Sequence, residues 1–207
     1  MQFGPELREG LDQLFKWRRD VRRFVTDPVC PDLVDRLLTQ ADTAPSVGLS
    51  QPWRWVLVQD PGRRAAVRAN FETANAVALA SYEGERRAIY AKLKLAGLDK
   101  APVHLAVFCD ETTQQGASLG AASMPEMRRY SCVSAITQLW LAARVEGLGL
   151  GWVSILDPDQ INRDLEVPDT WTLIGYLCLG HPEEAHEDPE LERAGWETRR
   201  AAPVLTR

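Results

Sequence analysis

The ten residues 171–180, WTLIGYLCLG, carry no charge and are apolar on both faces, so they suit a strand in the interior of a sheet covered on each side. PVHLAVFCD, Pro102 to Asp110, reads as a second strand, and WRWVLVQDP, Trp53 to Pro61, as a third that closes at a Pro-Gly turn. GWVSIL, Gly151 to Leu156, reads as a fourth. Cover for these strands must come from the segments between them. Leu7, Leu11, Leu14, Phe15 and Trp17 fall three to four apart, which predicts an amphipathic helix over about 5–19. A second helix is expected after Cys30, with Pro31 in its first turn, Leu33, Val34, Leu37 and Leu38 on its buried side, and an end near Ala44-Pro45. The alanine-rich and charged stretch between the strands at 53–61 and 102–110 must also be helical, and its second half is polar enough to serve as a mobile cover.

From about Pro125 a longer helix carries Tyr130, Val133, Ile136, Trp140, Leu141 and Val145 at helical spacing and ends in glycines. It is expected to be the longest and most apolar, with more apolar surface than one subunit can cover. A short helix through Ile161 and Leu165 precedes the last strand.

A chain of 207 residues that is 45% hydrophobic and 26% charged can bury one core of ordinary size, and no repeat or linker divides it, so one domain over 1–207 is expected. No apolar run approaches the roughly 20 residues needed to span a bilayer. The start, MQFGPELREGLDQLF, lacks the basic head and apolar core of a secretion signal, so the cytoplasm is the expected location. The net charge of −5 argues against a nucleic-acid or anionic-membrane surface. Cys30, Cys109, Cys132 and Cys178 show no metal-type spacing and read as thiols without a disulfide. His104, His181 and His186 outline no zinc site.

Four features bear on chemistry. Arg18, Arg19, Arg22 and Arg23 surround Asp20, and guanidinium groups in an acidic protein suit a phosphorylated ligand, although the same cluster also suits a solvated helix end. The arginines should depress the pKa of Asp20 unless burial outweighs them. The loop APSVGLSQPW, Ala44 to Trp53, offers Ser46 and Ser50 as hydrogen-bonding groups and Gly48 for close approach to a flat ligand, or it is a plain turn. GLGLGWVSI, Gly147 to Ile155, places glycines after a helix and before a strand, the reverse of a dinucleotide fingerprint, with Gly151, Trp152 and Ser154 at its end. The fourth is a lack: no catalytic triad and no paired carboxylates can be proposed from spacing, so the chemistry must come with a cofactor.

Taken in order, RRDVRRF, APSVGLSQPWRWVLV, PEMRRYSCVSAITQLWLAARVEGLGLGWVSIL and LIGYLCLG resemble the nitroreductase superfamily, from about Phe15 to Trp196. That resemblance implies an α+β fold, a mixed β-sheet flanked by helices, and a homodimer with shared FMN sites. Asp20 stands where a typical member has serine, and Ser50 where it has asparagine before QPW; with GWVSI and PEMRRYS these departures resemble the BluB branch. The branch implies that reduced FMN is consumed with molecular oxygen, giving 5,6-dimethylbenzimidazole for cobalamin and erythrose 4-phosphate. By the same resemblance Arg18, Arg19 and Arg22 hold the phosphate and ribityl chain, and Gly48 and Ser50 line the ring. Asp20, Val21, Ser46, Gly151, Trp152 and Ser154 complete the flavin contacts, with Asp20 for proton transfer and Ser154 for steering an intermediate. The segment 85–98 matches the family's lid, and a flavin reductase is the implied source of reduced FMN. An NAD(P)H-dependent nitroreductase or quinone reductase would share these contacts, as would a non-catalytic flavin carrier.

Overall fold

The computed structural model describes residues 1–93 and 97–207. Strands β1 (Trp53–Leu57), β2 (Val103–Asp110), β3 (Gly149–Val153) and β4 (Trp171–Gly180) form one sheet in the order β1-β2-β4-β3. The apolar runs at 102–110 and 171–180 therefore take the two central places. All three pairings are antiparallel. The mixed character expected of the sheet amounts, among the described residues, to one parallel bridge between Asp20 and Leu150.

Helices lie on both faces: α1 (Pro5–Trp17), α2 (Pro31–Ala41), α3 (Pro61–Ala80), α4 (Gly84–Tyr90), α5 (Gly97–Lys100), α6 (Met127–Val145), α7 (Pro158–Leu165) and α8 (Glu190–Arg193). The two-residue period of the strands divides the core. Val103, Leu105 and Val107 of β2 join Leu177 and Leu179 of β4 under α2 and α6, while Ala106, Phe108, Tyr176 and Cys178 face the cluster that holds Val67 of α3 and Ile161 and Leu165 of α7. Helix α3, with 20 residues, is longer than α6, with 19, because Pro61 at its start is followed by an unbroken run free of proline. Strand β3 begins two residues before GWVSIL and ends at Val153, so Ser154 falls just beyond it.

Helix α1 buries no side chain, and Leu7, Leu11 and Phe15 are exposed along its apolar stripe. Tyr130, Val133 and Val145 of α6 are exposed too. The thiols of Cys109, Cys132 and Cys178 are buried, and burial pushes Cys178 up to about 12. Cys109 and Cys132, separated in sequence, meet between β2 and α6 and remain free thiols. Among the described residues no helix is long and apolar enough to cross a membrane, and no cluster could hold a metal ion.

Gly151 lets the segment after α1 lie beside β3, and Gly175 makes room for the Trp152 indole. A Cβ on Gly151 would stand 2.1 Å from the carbonyl oxygen of Val21, and one on Gly175 would stand 2.1 Å from the indole nitrogen of Trp152. The backbone of Val21 approaches the first, and the Trp152 side chain lies across the second. Phe24, fully buried, then pins the segment, and Val25 N–H donates to the His181 carbonyl at 3.0 Å.

Candidate active site

Helix α1 ends at Trp17, and Arg18 already has extended backbone angles, so the arginine segment leaves the helix and runs beside β3. Val21 N–H donates to the Leu150 carbonyl at 3.1 Å. This register turns the Asp20 side chain toward β3, where its Oδ1 accepts the Trp152 amide at 2.9 Å and its Oδ2 faces Arg22 Nε at 3.4 Å. Burial raises the Asp20 carboxyl above its ordinary value, although 38% of the side chain still meets solvent; the Trp152 N–H and Arg22 pull the other way and are outweighed. Loss of hydration therefore counts for more than the arginines.

The four arginines have separate fates. Arg18 lies 5.1 Å from the Trp140 ring centre, and burial, then the nearby Arg199, lowers its pKa. Arg19 lines the cleft but commits its donors to backbone: its Nε donates to the Glu187 carbonyl at 2.9 Å, and its terminal nitrogens to the carbonyls of Lys16, Arg18 and Glu187. The terminal nitrogen Nη1 of Arg22 is buried and has no partner among the described residues. Arg23 sits 3.7 Å from Glu190. A cleft of about 210 Å³ collects Arg18, Arg19, Asp20, Arg22, Glu190 and Arg199. Glu190 and Arg199 were not singled out by sequence, because a tail folded back from residues 190–199 leaves no mark in periodicity or spacing.

Asp20, Val21, Arg22, Gly151 and Trp152 also share a smaller pocket with Gly97 and Cys178. Ser154 is exposed one residue past Val153, the last of that pocket's lining from β3.

The loop 46–50 lies elsewhere. Ser46 Oγ accepts the Gln51 amide at 3.1 Å. Gly48 has φ +57°, and a Cβ there would stand 2.8 Å from the Leu119 carbonyl oxygen, so its close approach is to the loop 116–120. Ser50 is 3% exposed, and its Oγ has no partner among the described residues. Val47 N–H, donating to Ser131 Oγ at 3.0 Å, holds this loop at the start of α6. Trp140, whose Nε1 donates to the Arg19 carbonyl at 3.1 Å, lies nine residues further on, roughly 13 Å along the helix axis. One chain thus carries two groups of candidate residues at different levels of α6. The proposed lid segment, 85–98, falls partly on residues 94–96, outside the described residues; its first part is α4.

The model of the nitroreductase family matches residues 15–181. The chain belongs to the nitroreductase family. A nitroreductase-family relative from Rhodospirillum rubrum, named 5,6-dimethylbenzimidazole synthase, is 57% identical over 99% of this chain and 97% of its own length. Another of that name, from Rhodobacter capsulatus, is 47% identical over 95% of each chain. Among solved structures, iodotyrosine deiodinase bound to FMN and 3-iodo-L-tyrosine shares the nitroreductase fold with a TM-score of 0.74, 23% identity and coverage of 95% of this chain and 97% of that one.

Proposed function

We propose that this nitroreductase-family chain is a 5,6-dimethylbenzimidazole synthase, which fragments reduced FMN with oxygen to 5,6-dimethylbenzimidazole and erythrose 4-phosphate for the lower ligand of cobalamin. The observation that carries the reading is the carboxylate of Asp20, fixed by the Trp152 amide inside an arginine cleft. A site built only to grip phosphate is weakened by a carboxylate, which repels that group and competes for its guanidiniums. A proton acceptor that must act beside a phosphorylated chain needs both. The relatives named for this activity, at 57% and 47% identity, support it.

The residues fit a flavin phosphate. Arg22 Nη1 is a buried polar atom without a partner among the described residues, and Arg18, Arg22 and Arg199 bring positive charge to one cleft. Reduced FMN, when bound, supplies the electrons that oxygen accepts. Arg18, Arg22 and Arg199 hold the phosphate and the adjoining ribityl chain; Arg19 fastens the acidic segment at Glu187 behind them. Asp20 receives a proton, Val21, Gly151 and Trp152 form the wall beside it, and Ser154 donates or accepts a hydrogen bond that steers the outcome. Ser46, Gly48 and Ser50 meet the ring of a flavin held by a second copy, which makes the active form a homodimer and gives the exposed stripe of α1 and the exposed residues of α6 a surface to cover. The whole chain acts as one domain in the cytoplasm, and a flavin reductase supplies its substrate.

One aerobic incubation with reduced FMN, read by mass spectrometry, tests this. Dimethylbenzimidazole formed in proportion to enzyme is the expected result; intact oxidised FMN as the sole flavin product overturns it in favour of a reductase or a carrier.

A further inference from the structure

Past α8 the chain turns at Gly195 and lays Trp196 against the junction of α3 and α4. The indole stands edge-on to the Tyr82 ring, with centroids 5.3 Å apart at 88°, and 6.0 Å from the Tyr90 ring. Tyr82 and Tyr90 are themselves 5.0 Å apart. Arg86 of α4 closes this cluster from the other side. Its guanidinium lies 4.6 Å from the Trp196 ring centre, its Nη1 donates to the Trp196 carbonyl at 2.6 Å, and its Nη2 sits 3.7 Å from Glu197. Tyr90 is tied back to α3, its hydroxyl donating to Asn75 Oδ1 at 2.7 Å.

Among the described residues, the further side-chain tie from helix α4 is the hydrogen bond from Arg87 Nη1 to the Leu79 carbonyl at 3.3 Å. The helix is seven residues long, it buries no side chain and its N-cap makes no side-chain hydrogen bond. So short a helix is not stable by itself. Trp196 therefore supplies a large share of the surface on which α4 rests. Three residues beyond Trp196, Arg199 lines the arginine cleft, and its amide donates to Glu192 Oε1 at 2.6 Å, which folds the tail back on α8. Glu190, the first residue of α8, lines the same cleft. The segment 190–199 thus meets α4 through Trp196 and Glu197 and the cleft through Glu190, Leu191 and Arg199.

We infer that Trp196 is a positioning residue, the clamp of a C-terminal strap that couples filling of the arginine cleft to the seating of α4. The inference rests on the reading of that cleft as a phosphate site. An anion drawn to Arg199 restrains the tail, the restrained tail holds Trp196 between Tyr82, Arg86 and Tyr90, and α4 is fixed at lower entropic cost. The coupling is reciprocal, so loss of the clamp weakens anion binding as well.

Hydrogen exchange of the full-length chain, read by mass spectrometry on peptides covering Gly84–Tyr90, tests this with inorganic phosphate and with FMN as probes. Either probe should slow exchange in α4 by about fivefold or more, the lower end of ordinary couplings. Trp196→Ala should exchange fast with and without probe, Trp196→Phe should recover most of the protection because a ring still fills the seat, and Arg199→Ala should match the parent without probe but lose the slowing with it. Unchanged exchange in β2 and β4 peptides shows that each variant is folded. Equal α4 exchange in Trp196→Ala and the parent overturns the inference, as does a slowing that survives in Arg199→Ala. Probe binding measured separately keeps the two readings apart: no binding to the parent removes the phosphate site and the strap together, whereas binding without change at α4 removes the strap alone. Neither result depends on dimethylbenzimidazole being formed.

Discussion

The Trp152 amide donates to Asp20 Oδ1 at 2.9 Å, so the backbone of β3 aims the carboxylate, with the longer contact from Arg22 Nε to Oδ2 at 3.4 Å beside it. An asparagine can accept the same bond. Since burial raises the carboxyl in the folded chain, ionised Asp20 lowers stability as pH rises from its ordinary value of 3.8 through the folded value, and this penalty is absent below that range. Asp20→Asn is therefore expected to melt no lower than the parent at pH 7, with any gain vanishing near pH 4. It should bind FMN within a few-fold, yet form at least about 100-fold less dimethylbenzimidazole, the lower end of what a positioned base contributes. Product within threefold of the parent would falsify the proton-transfer role.

Arg19 and Arg22, three positions apart in sequence, have opposite commitments. Arg19 spends its donors on the carbonyls of Lys16, Arg18 and Glu187, whereas Nη1 of Arg22 is buried without a partner. Arg22→Ala should weaken FMN binding by roughly 10-fold or more, since a hydrogen bond to a charged group contributes about 1.5–3 kcal/mol. Arg19→Ala should lower the melting temperature and cost less affinity. Fluorescence titration and thermal melts compare the two, and an affinity loss in Arg19→Ala equal to that in Arg22→Ala would show that both arginines bind ligand.

Ser50 and Arg22 belong to different levels of α6 and are proposed to meet across a dimer. Arg22→Ala and Ser50→Val should each be nearly inactive alone. Refolded together in equal amounts they should recover about a quarter of the parent activity, because half of the dimers are mixed and each mixed dimer holds one intact site. Recovery no greater than the sum of the separate variants would place both residues in a site within one chain.

Much of this arrangement is legible in the sequence. The uncharged run 171–180 does form a central strand and the helical spacing from Tyr130 to Val145 does form a helix, because two-sided burial and the helical period leave strong local signals. Of the residues so spaced, however, Ile136 is buried while Tyr130, Val133 and Val145 are exposed, and Cys132, Ala135, Leu139 and Ala143 complete the face toward the core. The arginine segment and the glycines before Trp152 come together as a site because a register set by Val21 and Leu150 joins them. That pairing crosses more than a hundred residues and has no local signal. Arg199 and Trp196 illustrate the same limit: their roles arise from a tail that folds back, and the composition around them resembles any charged terminus. Gly48 could be read as a flat-ligand contact or a turn, and its neighbour in the chain is the loop carbonyl of Leu119.

Gly151→Ala tests whether the register of the arginine segment depends on that glycine. The new Cβ would stand 2.1 Å from the Val21 carbonyl oxygen, which is backbone and cannot swing aside. Either β3 or residues 20–22 must shift, and overpacking of this kind costs about 1–3 kcal/mol. The expected variant is less stable in urea by that amount and loses FMN affinity as Asp20 and Arg22 move. Gly147→Ala serves as the control for the glycine-rich stretch: its φ of +75° strains any side chain, but no atom lies within 4 Å of the added carbon, so it should lose stability without losing affinity. Full FMN affinity in Gly151→Ala would mean that the segment tolerates the shift.

Between about 4 and 6.5 the pH dependence of folding should carry a rising contribution from His104, set against the falling one from Asp20 that begins above 3.8, so it is best read in the Asp20→Asn background. This side chain is 2% exposed, and its Nε2 lies 3.1 Å from the Ala101 carbonyl, which can only accept, so Nε2 carries the hydrogen. Nδ1 then accepts from the Tyr176 hydroxyl at 2.9 Å, leaving no place for a second proton. Burial, with the Arg64 guanidinium nearby, lowers the His104 pKa from 6.5 to about 4. In that interval the unfolded chain binds the proton and the folded chain does not, so this contribution to stability rises with pH: it is fully present above 6.5, declines as pH falls, and is lost once pH passes about 4. At 1.36 kcal/mol per unit the whole effect is on the order of 3 kcal/mol. The window lies above that of Asp110, whose lowered carboxyl gives up its contribution only below 3.8, so the two can be separated in one titration. Urea denaturation of Asp20→Asn at half-unit steps from pH 4 to 7.5 should show the slope, and adding His104→Gln, which cannot titrate, should lower stability at pH 7 but flatten the curve. An Asp20→Asn curve with no slope between 4.5 and 6.5, or an equal slope once His104→Gln is added, would assign the acid sensitivity to other groups.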